Sequence, residues 1–204
     1  MRVLPSGTTA LLVELDDLDE VMALYDALVA DPPAGLVDLV PAARTVLVVA
    51  DPAQTSLAAV ETAVRRTPRP VGRRRHGALV EVPVVYDGED LVEVAALLDC
   101  PSPELVRRHT GAQWSVAFCG FAPGFGYLVS ADWPHDVPRR SSPRTRVPPG
   151  AVGLAGPFSG VYPRASPGGW QLLGRTQLAV FDLARDPPAL LRPGTRVRFV
   201  DVTP

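Results

Sequence analysis

Apolar positions in the first third of the chain switch between two periods. Thr9 to Leu15 (TALLVEL) is a short apolar run that predicts a strand. Leu18, Val21, Met22, Tyr25, Leu28 and Val29 then recur at helical spacing along one face. Asp17, with Glu20 three positions on, supplies a carboxylate cap at the start of that helix, and Pro32-Pro33 and Gly35 end it. GLVDLV (Gly35 to Val40) and RTVLVVA (Arg44 to Ala50) predict two paired strands across a turn at Pro41. A second helix from about Ser56 to Arg66 places Leu57, Val60 and Val64 on one side. The order β-α-β-β-α, with a closing strand expected later, predicts a ferredoxin-like α+β domain over residues 1–76 whose apolar faces are core.

The pattern breaks at Thr67 to His76 (TPRPVGRRRH), a Pro-, Gly- and Arg-rich linker. Arg73, Arg74 and Arg75 read as a solvated hinge, with an acidic partner as the alternative. Ala78 to Tyr86 (ALVEVPVVY) restarts a strand, where Pro83 argues for an edge or a bulge. Asp90 is expected to cap a helix with the stripe Leu91, Val94, Ala95 and Leu98. Ser102-Pro103 starts another helix that runs through His109 to Gly111. LAVFD (Leu178 to Asp182) and TRVRFVDV (Thr195 to Val202) alternate as closing strands. Many short strands, few helices and frequent turns over residues 77–204 predict a closed antiparallel β-barrel.

Two Gly/Pro-rich segments change this picture because they also carry large apolar residues, unlike disordered tracts. Arg144 to Thr176 interleaves its Gly and Pro with Val147, Val152, Leu154, Val161, Trp170, Leu172 and Leu173. Gly168-Gly169 ahead of Trp170 permits close backbone approach beside an aromatic wall. Phe118 to Leu128 (FCGFAPGFGYL) spaces Phe121, Phe125 and Tyr127 among glycines, with Pro123 stiffening the middle, and the Arg139-Arg140 segment separates the two regions. An aromatic wall, exposed amides and the guanidinium groups of Arg144, Arg146, Arg164 and Arg175 suit a small anionic or amide ligand. Each segment by itself also fits plain barrel core. Arg144 and Arg175 could hold a carboxylate or phosphate, and a structural salt bridge is the competing reading. Ser166 reads as a turn residue rather than a nucleophile, because the GxSxG elbow is absent.

Bulk properties narrow the function. The 204 residues carry a net charge of -2, which leaves no footprint for nucleic acid or an anionic membrane. All 20 basic residues are arginine, so Schiff-base and P-loop lysines are excluded. Cys100 and Cys119 lack CxxC spacing and read as buried free thiols, which fits a reducing cytoplasm. Three scattered histidines make no metal-ligand pattern, and no long apolar run or signal segment is seen.

The segments GFAPGFGYL, PRTRVPPGAVGLAG and GVYPRASPGGWQLLGRT together resemble the allophanate hydrolase subunit 1 family, which includes the B subunit of bacterial ATP-dependent 5-oxoprolinase and the sporulation-kinase inhibitor KipI. The resemblance implies a KipI N-terminal-like domain at 1–76 and a cyclophilin-like barrel at 77–204. It implies ATP-dependent opening of 5-oxo-L-proline to L-glutamate, with ATP bound by the assembly rather than necessarily by this chain. It also implies a cyclophilin-like companion subunit 2 and often a third, lactam-binding protein. The expected catalytic residues are Arg144, Arg175 and His109; the last ends a helix, where an exposed group is the plain reading, and the resemblance puts it near the barrel entry as proton carrier or hydrogen-bond donor. Substrate is expected on Phe121, Pro123, Phe125, Tyr127, Tyr162, Ser166, Gly168, Gly169, Trp170 and Thr176. Inhibition of a histidine kinase and urea or allophanate metabolism are the alternatives. Where relatives carry Gln and Thr after Ala155-Gly156, this chain has Pro157, Phe158 and Ser159, an aromatic ring in place of a polar contact.

Overall fold

The computed structural model describes residues 1–69 and 77–204. The chain divides into two compact units, Met1–Arg74 and Arg75–Pro204. The linker expected at residues 67–76 lies mostly outside the described residues, together with Arg73, Arg74, Arg75 and His76.

In the first unit, β1 (Arg2–Ser6), β2 (Ala10–Glu14), β3 (Leu36–Pro41) and β4 (Thr45–Ala50) form an antiparallel sheet of order β1-β2-β4-β3. Two helices, α1 (Leu18–Ala30) and α2 (Leu57–Arg66), follow β2 and β4. The Asp17 carboxylate accepts from Glu20 N at 2.9 Å, and Ser56 Oγ from Ala59 N at 3.2 Å, so both helices start with a side-chain cap. Val21, Leu24 and Leu28 bury the face of α1 against Leu11, Val13, Val46 and Val48, while Val29 is exposed. The strand expected after α2 is instead β1, ahead of β2. Its Pro5 and largely exposed positions carry no alternating pattern, which is why sequence periodicity misses it.

The second unit is built on seven strands, β5 (Leu79–Val84), β6 (Trp114–Cys119), β7 (Gly126–Val129), β9 (Ala151–Ala155), β10 (Phe158–Val161), β12 (Gln171–Arg175) and β13 (Arg196–Asp201). They form one sheet of order β12-β9-β10-β7-β6-β13-β5. A separate ribbon pairs β8 (Arg144–Val147) with β11 (Ser166–Gly168). The sheet curls until its two edges nearly meet: Val85, just past β5, and Arg175, the last residue of β12, exchange backbone hydrogen bonds at 2.9 Å. Gly174 makes that approach possible, since a Cβ there would sit 2.3 Å from Val85 O. Two expectations need correcting. The barrel is not wholly antiparallel, because β13 pairs with β5 in parallel, and LAVFD forms no strand. Phe181 makes one isolated bridge to Ala189, and Leu190 N donates to Val180 O, so this segment closes a loop. Pro83 does sit on a strand at the sheet edge.

Helices α3 (Leu91–Leu97) and α4 (Ser102–Gly111) pack on the barrel, and Val94, Leu105, Trp114, Leu128, Leu154, Leu173, Val197 and Phe199 fill its core. A second apolar group, Phe125, Val147, Ala151, Ala155, Tyr162, Trp170 and Leu172, lies under the ribbon. The candidate site rests on it.

Candidate functional site

The turn between β6 and β7 sets one wall of the site. Ala122 N donates to Gly120 O at 2.7 Å and Phe125 N to Ala122 O at 3.0 Å, which folds the GFAPGF segment on itself. Phe121 adopts φ +66 with its ring largely exposed, a left-handed conformation that costs a non-glycine residue about 1 kcal/mol or more. The turn holds that ring edge-on to Phe125 and Tyr162, at 5.4 and 6.1 Å. Phe125 in turn meets Tyr127, Tyr162 and Trp170 edge-to-face at 5.1, 5.2 and 5.2 Å, the favoured geometry for aromatic pairs.

The ribbon supplies the other wall. Its register slips between Ser166 and Gly168, and Gly168 lies against the Tyr162 phenol so closely that a Cβ would be 2.4 Å from the hydroxyl oxygen. Together Phe121, Phe125, Tyr127, Arg139, Tyr162, Gly168, Gly169 and Trp170 enclose a recess of about 70 Å³. Burial pushes the Tyr127 phenol up and the Tyr162 phenol up to about 12, so both stay protonated at neutral pH.

Behind the recess a carboxylate holds the ribbon to the barrel. Asp90 occupies the N-cap position of α3 but makes no cap bond. One carboxylate oxygen accepts from Leu172 N at 2.7 Å, and the other from Arg140 at 2.5 Å and Arg144 at 2.8 Å. Burial pushes this carboxyl up, but the Arg144 hydrogen bond, the Leu172 amide and the fields of both arginines outweigh it and hold it below the ordinary carboxylate range. Arg144 also pairs with Glu89 at 2.9 Å. The expected cap is therefore a fastener, and Arg144 spends its charge inside the fold.

Seven of the expected residues converge: Phe121, Phe125, Tyr127, Tyr162, Gly168, Gly169 and Trp170. Pro123 lies outside the lining, in the turn. Ser166 Oγ donates to Arg164 O at 3.3 Å. Thr176 is buried, accepts from Leu178 N at 3.1 Å and gives its own amide to Gly150 O, so it locks a loop. Arg175 pairs with Asp87 at 2.8 Å on the surface, which is the structural salt bridge offered as its competing reading. Phe158 stands edge-on to Tyr127 at 5.5 Å without lining the recess. Sequence reasoning passed over Arg139 and the role of Asp90. The adjacent pair Arg139-Arg140 was visible, but nothing in one sequence says that its members part company.

His109 is not in the recess. It is fully buried, its ring stacked on Phe199 at 4.3 Å and flanked by Trp114 and Trp133 at 5.2 and 5.9 Å. Its Nδ1 meets Tyr86 Oη at 2.7 Å and its Nε2 meets Ser159 Oγ at 2.9 Å. Burial brings its pKa down to about 3, so the ring is neutral and serves one hydroxyl as donor and the other as acceptor. It does not line the recess where the other expected residues meet; the helix-end position that made it look exposed packs inward onto β13.

A larger groove of about 310 Å³ is lined by Val80, Arg185, Leu190, Arg192 and neighbouring residues and holds none of the motif residues. Among the described residues, no three or more His, Cys, Asp or Glu side chains group as a metal site, and no helix is long and apolar enough to cross a membrane.

Comparison with known proteins assigns the chain to a family. The 5-oxoprolinase B subunit of Escherichia coli O157:H7 is 40% identical over 204 residues, covering 95% of this chain and 93% of that protein. The Bacillus subtilis protein of the same name is 46% identical over 128 residues, 61% of this chain and 53% of its own length. The crystal structure of TTHA0988 superposes with a TM-score of 0.76 at 37% identity, covering 96% of this chain, which spans 40% of that one. The family model for the carboxyltransferase domain, subdomain C and D, matches residues 1–191. With a full-length relative at that identity, the chain belongs to the carboxyltransferase-domain family, subdomain C and D.

Proposed function

We propose that the chain is one subunit of a 5-oxoprolinase-type hydrolase, and that its aromatic recess forms one wall of a cleft completed by another polypeptide. The relatives named as the B subunit of 5-oxoprolinase support the reaction class. The observation that carries the shared cleft is the size of the recess. Its volume of about 70 Å³ falls well short of the roughly 300–1,000 Å³ of pockets that enclose a small molecule. It can hold part of a five-membered lactam ring between flat aromatic walls, and it has no room for a nucleotide. ATP therefore binds outside the recess itself, on the part of the cleft that the companion supplies. In the overall reaction the lactam oxygen takes the terminal phosphoryl group and water adds to the activated carbon. The ring C–N bond then breaks, with phosphate leaving and glutamate formed.

The partners are a cyclophilin-like companion subunit and a third, lactam-binding protein, working in the cytoplasm, where Cys100 and Cys119 stay free thiols. Residues 1–76 are read as the KipI N-terminal-like, ferredoxin-like domain, with β1 at the edge where a closing strand was expected. Residues 77–204 are read as the cyclophilin-like barrel. The test is reconstitution: this chain with its companion subunits should release glutamate from 5-oxoproline with matching ADP, and the chain alone should not. Turnover of allophanate in place of 5-oxoproline would overturn the reaction class; robust turnover by the isolated chain would overturn the shared cleft.

A further inference from the structure

We propose that Arg139 is the residue that reads the carboxylate of the substrate, an inference that rests on the lactam reading of the recess. Arginines cluster around this part of the barrel, but their charges have different fates. Arg140 is neutralised by Asp90, Arg144 by Asp90 and Glu89, and Arg175 by Asp87. Arg139 lines the recess and, among the described residues, its side chain has neither a hydrogen bond nor an ion pair. It is also the one charged side chain in a lining otherwise made of aromatic rings and two glycines.

The backbone fixes where that guanidinium starts. On one side, Pro138 O accepts from the Gln171 side chain at 3.2 Å; on the other, Arg140 N donates to Gly169 O at 2.8 Å. Residue 139 is thus pinned between β12 and the ribbon, at the rim of the recess, while its side chain stays exposed. The Tyr127 and Tyr162 phenols stay protonated, so no anion inside the recess competes for Arg139.

A lactam bearing a carboxylate on the carbon next to its nitrogen suits this arrangement. The flat ring enters between Phe121, Tyr162 and Trp170, and the carboxylate remains at the rim, where a planar guanidinium can donate two parallel hydrogen bonds. Arg139 contributes to binding and discrimination and takes no part in bond making. A companion polypeptide that closes the cleft would strip water from this pair and strengthen it.

The experiment compares the reconstituted wild-type assembly with Arg139→Gln and Arg139→Lys. A hydrogen-bonded charge pair is worth roughly a tenfold to hundredfold change in binding, so Arg139→Gln should raise KM for 5-oxo-L-proline by about that factor with kcat nearly unchanged. The inhibition constant of 2-pyrrolidinone, the same ring without the carboxylate, should not move, and Arg139→Lys should recover part of the loss. Equal weakening of both ligands, or no change in either, overturns the assignment. Because Arg139 is exposed and unpaired, the urea midpoint of each variant should match wild type. If the wild-type assembly turns over no 5-oxoproline, the functional reading fails by itself. Arg139 is then tested on the full chain through its tryptophan fluorescence, to which Trp170 in the recess contributes. Quenching by 5-oxoprolinate that exceeds quenching by 2-pyrrolidinone and disappears in Arg139→Gln supports the role, and the absence of any carboxylate preference rejects it.

Discussion

Acidification should weaken the barrel through His109 well before its carboxylates titrate. The ring is sealed between Phe199, Trp114 and Trp133, and burial lowers its pKa to about 3, against about 6.5 in an unfolded chain. Between those values the unfolded chain binds a proton that the folded barrel refuses. The stability this group protects is complete above pH 6.5 and is lost as the pH falls toward 3. Each pH unit in that window costs about 1.4 kcal/mol, so moving from pH 6.5 to 4.5 costs roughly 2.7 kcal/mol, a large part of the 5–15 kcal/mol of an ordinary domain. Asp90 adds little in this window, because a carboxyl held low in the fold starts to lose its stabilisation only as the pH approaches the ordinary carboxylate value of the unfolded chain, about 4. All three tryptophans, Trp114, Trp133 and Trp170, lie in the second unit, so urea unfolding followed by their fluorescence reports this unit alone. His109→Gln should be less stable than wild type at pH 7.5, having lost the stacked ring, yet its stability should be nearly flat from pH 6.5 to 4.5. An equal slope in His109→Gln, or a flat wild-type profile, would refute the argument.

Other expectations follow from the site. Asp90→Asn should cost about 2–3 kcal/mol in urea unfolding, since it removes a buried carboxylate that accepts from Arg140, Arg144 and Leu172 N. Gly168→Ala drives a methyl group to 2.4 Å from the Tyr162 oxygen; calorimetry should show a loss of about 1–3 kcal/mol, and titration should show that lactam binding is abolished. Arg175→Ala breaks an exposed pair with Asp87, so it should change stability by less than about 1 kcal/mol and leave turnover of the reconstituted assembly intact. A large fall in kcat would return Arg175 to the catalytic set.

The local pattern determined most of the elements. Asp17 and Ser56 cap the helices that their position announces, and Val60 and Val64 bury the stripe that their spacing marks. The aromatic and glycine motifs also named seven of the recess residues, because a ring beside a glycine is a chemical statement that needs no coordinates. What the sequence could not decide was pairing over long distances. The parallel contact of β5 with β13 joins residues 117 apart, as in the Glu81–Arg198 pair, and no local period encodes it. His109 looked like an exposed helix end until α4 packed on β13. Asp90 looked like a cap until the ribbon brought Arg140 and Arg144 to it. Arg139 and Arg140 are neighbours of identical chemistry, and only the fold gives one a buried carboxylate and leaves the other facing the recess. Periodicity records which way a residue faces, whereas the partner of a charge is set by where the rest of the chain returns.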